Sequence, residues 1–278
     1  MRRAALAFLA SALALTACTD DRISLSYGLR EGTVFRYDLL LRAEVVRTLE
    51  EQTQTQDVVA TFEVTQEILA RTEDGGSQAR MTMVPRSLLV DGRASETGPG
   101  QEFVVRLGPD GRVVGIGEPT GEATEELAPL GIERLLPRLR PVLPATLVSA
   151  GDGWSSTTDF SDAGGTFSLS TDSRLAELGS LEGHPAALVR TTYESPVDLR
   201  ERFANAVAEL AGTDVGAQEA WFALDGFLIR SLGDSVGTYS VTFSPPEGEL
   251  GVEPVEGSLV VRLHTEMRLV GTGPAPAG

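Results

Sequence analysis

Alternation of apolar and polar residues is the sequence feature that most constrains how this chain can fold. Between Thr33 and Val45 every second side chain is apolar, and most of the residues between them are charged. The same period of two recurs from Val58 to Ile68, interrupted by Gln66, and from Leu259 to Leu269. A period of two places alternate side chains on opposite faces of a strand, so these segments predict antiparallel strands with one buried and one wet face.

Turn residues separate the predicted strands. Glu73 to Gly76, Pro109 to Gly111 and Asp225-Gly226 each lie between two apolar runs, where hairpin turns need residues that tolerate positive φ. The Thr- and Gln-rich stretch from Thr48 to Gln56 predicts an exposed connection or a strand edge.

Two stretches follow a helical pattern instead. Leucines and an isoleucine at helical spacing predict a short helix between Thr124 and Leu139, bounded by Pro137 and Pro141. Ser195-Pro196-Val197-Asp198 resembles a helix start, and apolar residues follow at helical spacing up to Gly212. A strand remains an alternative for Val197 to Phe203.

The strand–turn–strand pattern occurs twice in the same order, with a spacing near 115 residues. Leu69 to Val84 corresponds to Leu175 to Tyr193, and Phe103 to Ile116 corresponds to Ala220 to Leu232. We therefore predict a mostly β fold of two similar curved antiparallel sheets, half-barrel-like, with one or two short helices. The alternative is that the similarity between the two halves arises by chance, because any β protein contains repeated strand–turn–strand patterns.

Composition indicates a sizeable core and limits the kinds of partner that the chain can bind. Hydrophobic residues make up 41% of the chain, enough for a sizeable core. The formal net charge is −17 and all 23 basic residues are arginine. Such acidity argues against nucleic acid as a partner, because phosphate binding needs clusters of Lys and Arg.

The amino terminus predicts export and a lipid anchor. Arg2 and Arg3 precede an uncharged, mostly apolar run from Ala4 to Ala17, which at about 1.5 Å per residue is too short for a hydrocarbon core of about 30 Å. Leu15-Thr16-Ala17-Cys18 resembles the lipobox of bacterial lipoproteins. That resemblance implies diacylglyceryl on the Cys18 sulfur, acyl chains in a membrane of the cell envelope, and cleavage before Cys18.

The resemblance also suggests where the protein resides. Asp directly after the lipidated cysteine favours retention in the inner membrane of diderm bacteria. Thr19 occupies that place here, which favours the periplasmic face of the outer membrane, although Asp20 follows it. In a bacterium with one membrane the anchor implies its outer face.

Catalytic candidates are few. His264 falls on the polar face of the last predicted strand, and His184 lies in a predicted turn. No ligand spacing joins them, so we expect no metal site and no cofactor. A Ser–His–Asp set can be dispersed in sequence, but no Gly-x-Ser-x-Gly elbow is present. We expect no catalytic residues and no enzymatic activity, with hydrolysis the least favoured alternative.

The two tryptophans are candidate pocket residues. Trp154 and Trp221 lie at or near strand starts in the two predicted repeats. Core packing is the ordinary role of such side chains, and lining an apolar pocket is the functional alternative.

A second resemblance supports the fold. Gly32 to Tyr37 and the run Leu143-Pro144 followed by Gly151-Asp152-Gly153-Trp154 match a motif pair in an uncharacterised group of bacterial lipoproteins, the DUF6263-like proteins. The likeness covers residues 27–235 and implies no activity. In layout the chain also resembles the curved half-barrels of lipoprotein carriers, in which a sheet wraps a helix around an apolar cavity.

Together these features predict five segments and two candidate functions. The segments are a signal peptide (1–17), a lipidated tether (18–26), an N-terminal β half with a connecting helix (27–147), a C-terminal β half (148–271) and a flexible tail (272–278). The first candidate function is a membrane-anchored, non-catalytic protein that binds a lipid or other apolar ligand. The second is an envelope scaffold that binds a protein partner.

Overall fold

The computed structural model describes residues 22–121, 132–162, 165–203, 206–244 and 254–275. They form twelve strands and one helix. The strands are β1 (Thr33–Leu49), β2 (Gln52–Arg71), β3 (Ser77–Val90), β4 (Arg93–Ala94), β5 (Gln101–Leu107), β6 (Val113–Ile116), β7 (Gly153–Asp162), β8 (Gly165–Leu181), β9 (His184–Phe203), β10 (Ala206–Ala223), β11 (Phe227–Ser244) and β12 (Val255–Pro274); the helix is α1 (Ile132–Leu139).

The strands form one antiparallel sheet in the order β6-β5-β3-β2-β1-β12-β11-β10-β9-β8-β7, with β4 beside β3. Neighbours along the chain are therefore neighbours in the sheet, and β12 returns to pair with β1. The two ends of this order, β6 and β7, lie next to each other without forming a ladder. The sheet is a nearly closed, barrel-like cylinder.

The prediction of a mostly antiparallel β fold is confirmed, but the strands do not divide into two sheets. Residues Thr33 to Leu49 of β1 pair with β12 from Pro274 back to Gly257. This seam joins the two predicted halves and leaves neither half with an open edge there, which removes a site of aggregation. The internal duplication stays a prediction.

The predicted turns and three of the strands are confirmed. Gly75, Gly111 and Gly226 all have positive φ in the turns after β2, β5 and β10. At Gly226, where φ is 96°, the backbone oxygen accepts a hydrogen bond of 3.0 Å from the amide of Gly28. Of the stretch from Thr48 to Gln56, predicted as an exposed connection or a strand edge, residues 52–56 belong to the part of β2 that pairs only with β1.

The helix predicted from Ser195 to Gly212 is wrong, and the strand alternative is correct. These residues lie in β9 and β10, where Ser195, Val197 and Leu199 are buried and the residues between them are exposed. Residues 195–203 pair with β10, and residues 207–212 pair with both β9 and β11, and this pairing overrides the local start signal.

The helix predicted between Thr124 and Leu139 is confirmed for its described part, Ile132–Leu139, and its beginning lies outside the described residues. Pro137 lies inside the helix and does not end it.

Both terminal segments are more ordered than predicted. Ile23 forms a bridge with Val148, and Leu25 is buried, so the end of the predicted tether is packed. Strand β12 runs three residues into the predicted tail, because Thr33 pairs with Pro274. Cys18 and the predicted signal lie outside the described residues.

The two ends of the cylinder differ. We call the end with the turns after β2, β8 and β10 the covered end, because residues 23–29 pack across it. There the Tyr27 ring meets Phe222 edge-on at 4.7 Å, and its hydroxyl donates to the Pro141 oxygen at 2.9 Å. The opposite end, with the turns after β1 and β3, is called the hairpin end.

Candidate functional site

The interior of the cylinder is the candidate functional site. Helix α1 lies inside it, with Leu135, Leu136 and Leu139 buried in the main core. The segment after α1 continues through the interior, since Leu143 and Val148 belong to the same core. We call the remaining space, toward the hairpin end, the lumen.

One side of the lumen is apolar. Inward-facing residues of β1, β2 and β12 form it, and the members on β12 are only half-buried although they point inward. Half-buried inward side chains mean that the lumen is not filled by the described residues. The residues of this apolar wall are Val45, Val58, Leu259, Val261 and Leu263.

The other side of the interior is polar over its middle part, and an apolar cluster of Leu169, Val197 and Leu199 lies beside that part toward the hairpin end. Inward positions of β7 to β11 carry hydroxyls, an amide and one carboxylate, several joined in pairs: Ser173 with Thr191 at 2.8 Å, and Gln218 with Ser231 at 2.9 Å. The buried residues of this polar wall are Thr158, Thr171, Ser173, Thr191, Ser195, Asp214, Gln218 and Ser231.

A buried ion pair fixes α1 to the polar wall. Arg138 Nη2 donates to Asp214 Oδ2 at 2.5 Å, and the two side chains are 13% and 8% exposed. The Arg138 guanidinium also lies over the Tyr193 ring, 5.7 Å from its centroid. The hydroxyl of Tyr239 donates to the other oxygen of Asp214. Because both charges are buried, each depends on the other for its stability.

The tyrosines around this pair stay protonated. Burial raises the pKa of Tyr239 well above its ordinary value, and the nearby negative charge of Asp214 raises it further. Burial also raises the pKa of Tyr193. Both hydroxyls are therefore hydrogen-bond donors at neutral pH.

A second arginine enters the interior nearer the covered end. Arg140 Nη2 donates to Gln66 Oε1 at 2.8 Å, and its guanidinium lies 5.3 Å from the centroid of the Tyr27 ring. Gln66 is 1% exposed, and its Nε2 has no hydrogen-bond partner among the described residues. Gln66, which interrupted the alternation in the sequence, is thus a buried polar contact for the segment after α1.

The hairpin end carries an open concavity of about 410 Å³. This volume is within the range of small-molecule sites, about 300–1,000 Å³. Most of its lining consists of inward-facing residues near the ends of β1 and β2, and Asp91 closes it at the turn after β3. The lining residues are Val45, Arg47, Gln54, Thr55, Gln56 and Asp91.

One register row connects these features. Asp214 pairs with Gly237, Gly237 with Val261, and Val261 with Val45. At about 4.8 Å per strand, the backbone of Asp214 is roughly 14 Å from that of Val45 along the wall. The buried ion pair, the apolar wall and the concavity therefore belong to one continuous inner surface.

The structure does not bring the two candidate tryptophans together. Trp154 packs against the main core, and its Nε1 donates to the Val142 oxygen at 2.8 Å. Trp221 belongs to a separate small cluster with Ala186, Ala223 and Ile229, on the opposite face of β10 from Phe222. Trp154 thus supports the segment after α1, and Trp221 does not face the lumen.

The histidines also lie away from the lumen. His264 Nδ1 and Asp234 Oδ1 are 2.8 Å apart on the outer face. His184 meets the Phe227 ring edge-on at 5.2 Å, at the covered end. Within the described residues there is no group of three or more His, Cys, Asp or Glu side chains that could hold a metal ion.

The sequence did not indicate the Arg138–Asp214 pair. Asp214 follows Leu210 and Gly212 at a spacing of two, so a strand reading of this segment places it on the inner face. The helix predicted up to Gly212 assigns no such inner face to Asp214.

Taken together, the fold and site define a class of protein: a single-sheet β cylinder with an internal helix and a partly polar lumen. Comparison with known proteins adds no closer assignment, since no protein-family model and no curated protein matches the chain. A solved structure of lipovitellin, from work on lipid–protein interactions in that protein, is similar at 15% identity with a TM-score of 0.46.

That match covers 90% of this chain and 26% of the lipovitellin chain, so this chain spans about a quarter of its length. So weak a similarity assigns neither a family nor a ligand. Of the described residues, none forms a helix long and apolar enough to cross a membrane.

Proposed function

We propose that this protein is a non-catalytic, membrane-anchored lipoprotein of the bacterial envelope that binds a lipid or other apolar ligand in its lumen. The observation that carries the ligand part is the half-buried apolar wall on β12. Leu259, Val261 and Leu263 point inward yet remain partly accessible to solvent. An apolar chain that covers this wall gains about 25 cal/mol for each Å² of apolar surface removed from water.

The concavity beside this wall supports the same proposal. It begins at Val45, which is the partner of Val261 in the β1–β12 ladder. A ligand that enters at the hairpin end would reach the apolar wall without crossing the cylinder.

The proposed membrane anchor depends on the lipobox-like sequence that ends at Cys18. That the protein is not a catalyst is also part of the proposal. Neither histidine is beside the lumen or the concavity. This placement favours binding over hydrolysis as the role of the lumen.

The test is native mass spectrometry of the protein after gentle extraction from membranes. We expect co-purified lipid on the wild type and at least a tenfold lower occupancy on Val261→Trp, which fills the lumen. The matched control is Val236→Trp, because Val236 is 39% exposed on the outer face of β11. An empty wild type, or equal occupancy in both variants, would contradict ligand binding and leave the scaffold alternative, which crosslinking in intact cells can test.

A further inference from the structure

We propose that the Arg138–Asp214 pair is a headgroup site, and that it selects an amphiphile whose headgroup carries both a phosphate and an ammonium group. This inference rests on the proposed function and deepens it. The pair lies on the same inner surface as the apolar wall, in the register row that connects Asp214 through Gly237 to Val261. A ligand with its chains on that wall therefore has its headgroup within reach of the pair.

The two charged side chains have unused hydrogen-bonding capacity. A guanidinium has five N–H donors and a carboxylate about four acceptor positions. With the described residues, Arg138 makes one hydrogen bond, and Asp214 accepts one bond from Arg138 and one from Tyr239. Both groups can bind a further partner without first breaking the existing pair.

Two hydroxyls of the polar wall are buried without a partner among the described residues, and one of them is next to Asp214. Ser195 is 1% exposed and pairs with Asp214 across the β9–β10 ladder. Its Oγ, and the Oγ1 of Thr158 on β7, have no hydrogen-bond partner within the described part of the chain. Leaving a buried hydroxyl unsatisfied costs about 1–3 kcal/mol, so a polar ligand group here is favoured.

The balance of charge at the pair decides which headgroup fits. A purely anionic headgroup that bound Arg138 would place a second negative charge beside the buried Asp214 carboxylate. A purely cationic headgroup would place a second positive charge beside the buried Arg138 guanidinium. A headgroup with both charges gives each side chain an opposite charge, so that no buried charge is left alone.

The experiment uses the full chain and vesicles of equimolar phosphatidylethanolamine and phosphatidylglycerol with identical acyl chains. After incubation the protein is re-isolated, and bound lipid is measured by native mass spectrometry. We expect the wild type to bind phosphatidylethanolamine about tenfold over phosphatidylglycerol, the ratio that one net ionic contact of about 1.4 kcal/mol provides. Equal binding, or preference for phosphatidylglycerol, would overturn the inference.

Variants separate this local effect from the net charge of −17, which repels anionic lipid everywhere. Asp214→Asn leaves Arg138 without a carboxylate, so we expect the preference to fall at least tenfold, to parity or to phosphatidylglycerol. Glu219→Gln removes the same charge from the outer face of the same strand, where Glu219 pairs with Arg190, and should keep the wild-type ratio.

An unchanged ratio in Asp214→Asn, or an equal change in Glu219→Gln, contradicts the assignment of the site. If Asp214→Asn does not fold, the wild-type ratio at high salt decides, because salt screens the net surface charge much more than a buried pair, and a ratio that falls to parity would overturn the inference. If the wild type binds neither lipid, this inference fails, and the proposed function is decided separately by the lipid that co-purifies with the extracted wild type. Binding of both lipids without preference rejects only the headgroup site.

Discussion

All four tyrosines of the chain occupy positions where burial raises the pKa of the phenol. For Tyr27 the pKa rises from 10.0 to about 12. A group whose pKa is higher in the folded state contributes stability that is fully present below its unfolded pKa and is lost as the pH rises toward the folded value. For Tyr27 the interval from 10.0 to about 12 corresponds to roughly 2–3 kcal/mol.

We therefore predict that the folded protein shows no tyrosine ionisation near pH 10. In a spectrophotometric titration, phenolate absorbance should appear only at higher pH and together with the loss of the folded circular dichroism signal. Tyr27→Phe should reduce the loss of stability between pH 10 and 12. A tyrosine that titrates with an ordinary pKa in the folded protein would contradict the burial described here.

Glycines on the polar wall make room for the ion pair. A Cβ at Gly237 would collide with the Tyr239 hydroxyl and the Asp214 carboxylate, and a Cβ at Gly216 would collide with the Tyr193 ring. We predict that Gly237→Ala lowers the free energy of unfolding by about 1–3 kcal/mol, the usual cost of overpacking.

Urea denaturation measures this effect, with Gly273→Ala as the control. Gly273 lies in β12, and a Cβ there meets nothing within 4 Å. The control should change stability by less than about 0.5 kcal/mol. Equal stability in the two variants would contradict the prediction, because it would mean that a Cβ at Gly237 fits without displacing Tyr239 or Asp214.

At the scale of elements, alternation predicted strands well where one face is apolar and the other charged. Strands β1, β2 and β12 have that pattern, and the face predicted to be buried is the inner face of the cylinder. Alternation failed at β9 and β10, because the inner face of these strands is polar near Ser195 and Asp214. Where a strand faces a polar part of the interior, its two faces do not alternate in hydropathy. The helix-start residues and the helical spacing were then the stronger signals in the sequence.

The position of α1 could not be predicted from the sequence for a related reason. Its leucines indicate one apolar face, but the helix is fixed by Arg138, whose partner is far away in the chain on β10. Long-range polar pairs leave no periodic signal. The contact between Arg138 and Asp214 can therefore be recognised only in the folded structure.

The ion pair between Arg138 and Asp214, which fixes α1, gives a prediction for this helix. Arg138→Met leaves Asp214 buried and without its cation, so the free energy of unfolding should fall by about 3–5 kcal/mol. Arg262→Gln breaks the exposed pair with Glu44 and should cost less than about 1 kcal/mol. Chemical denaturation distinguishes the two, and equal losses would refute the importance of the buried pair.

The displacement of α1 can also be observed directly. Trp154 is hydrogen-bonded to Val142, in the segment that follows the helix, and Trp221 lies on the opposite face of the sheet. In a Trp221→Phe background the emission therefore reports on that segment alone. Adding Arg138→Met should shift this emission to longer wavelength at denaturant concentrations where the circular dichroism signal is still native. Simultaneous loss of both signals would show that the helix does not leave separately.

At the scale of the whole molecule, the two ends of the cylinder have different expected relations to a membrane. The chain enters the fold at the covered end, where Ile23 bridges to Val148. If Cys18 is lipidated, the residues from Cys18 to Ile23 span at most about 18 Å. Strand β1 has 17 residues and extends roughly 55 Å at about 3.3 Å per residue. With the proposed anchor, we expect the covered end to face the membrane and the concavity at the hairpin end to point away from it.

The orientation is testable with single introduced cysteines, because the proposed anchor blocks the Cys18 sulfur with lipid. A fluorophore on Leu224→Cys, in the turn after β10, should be quenched by a quencher in the bilayer, whereas one on Glu51→Cys, in the turn after β1, should not. Cys18→Ala should release the protein from the membrane with its thermal stability unchanged and abolish the quenching at position 224. Equal quenching of the two labels would refute this orientation. Retention of Cys18→Ala on the membrane would refute the anchor itself.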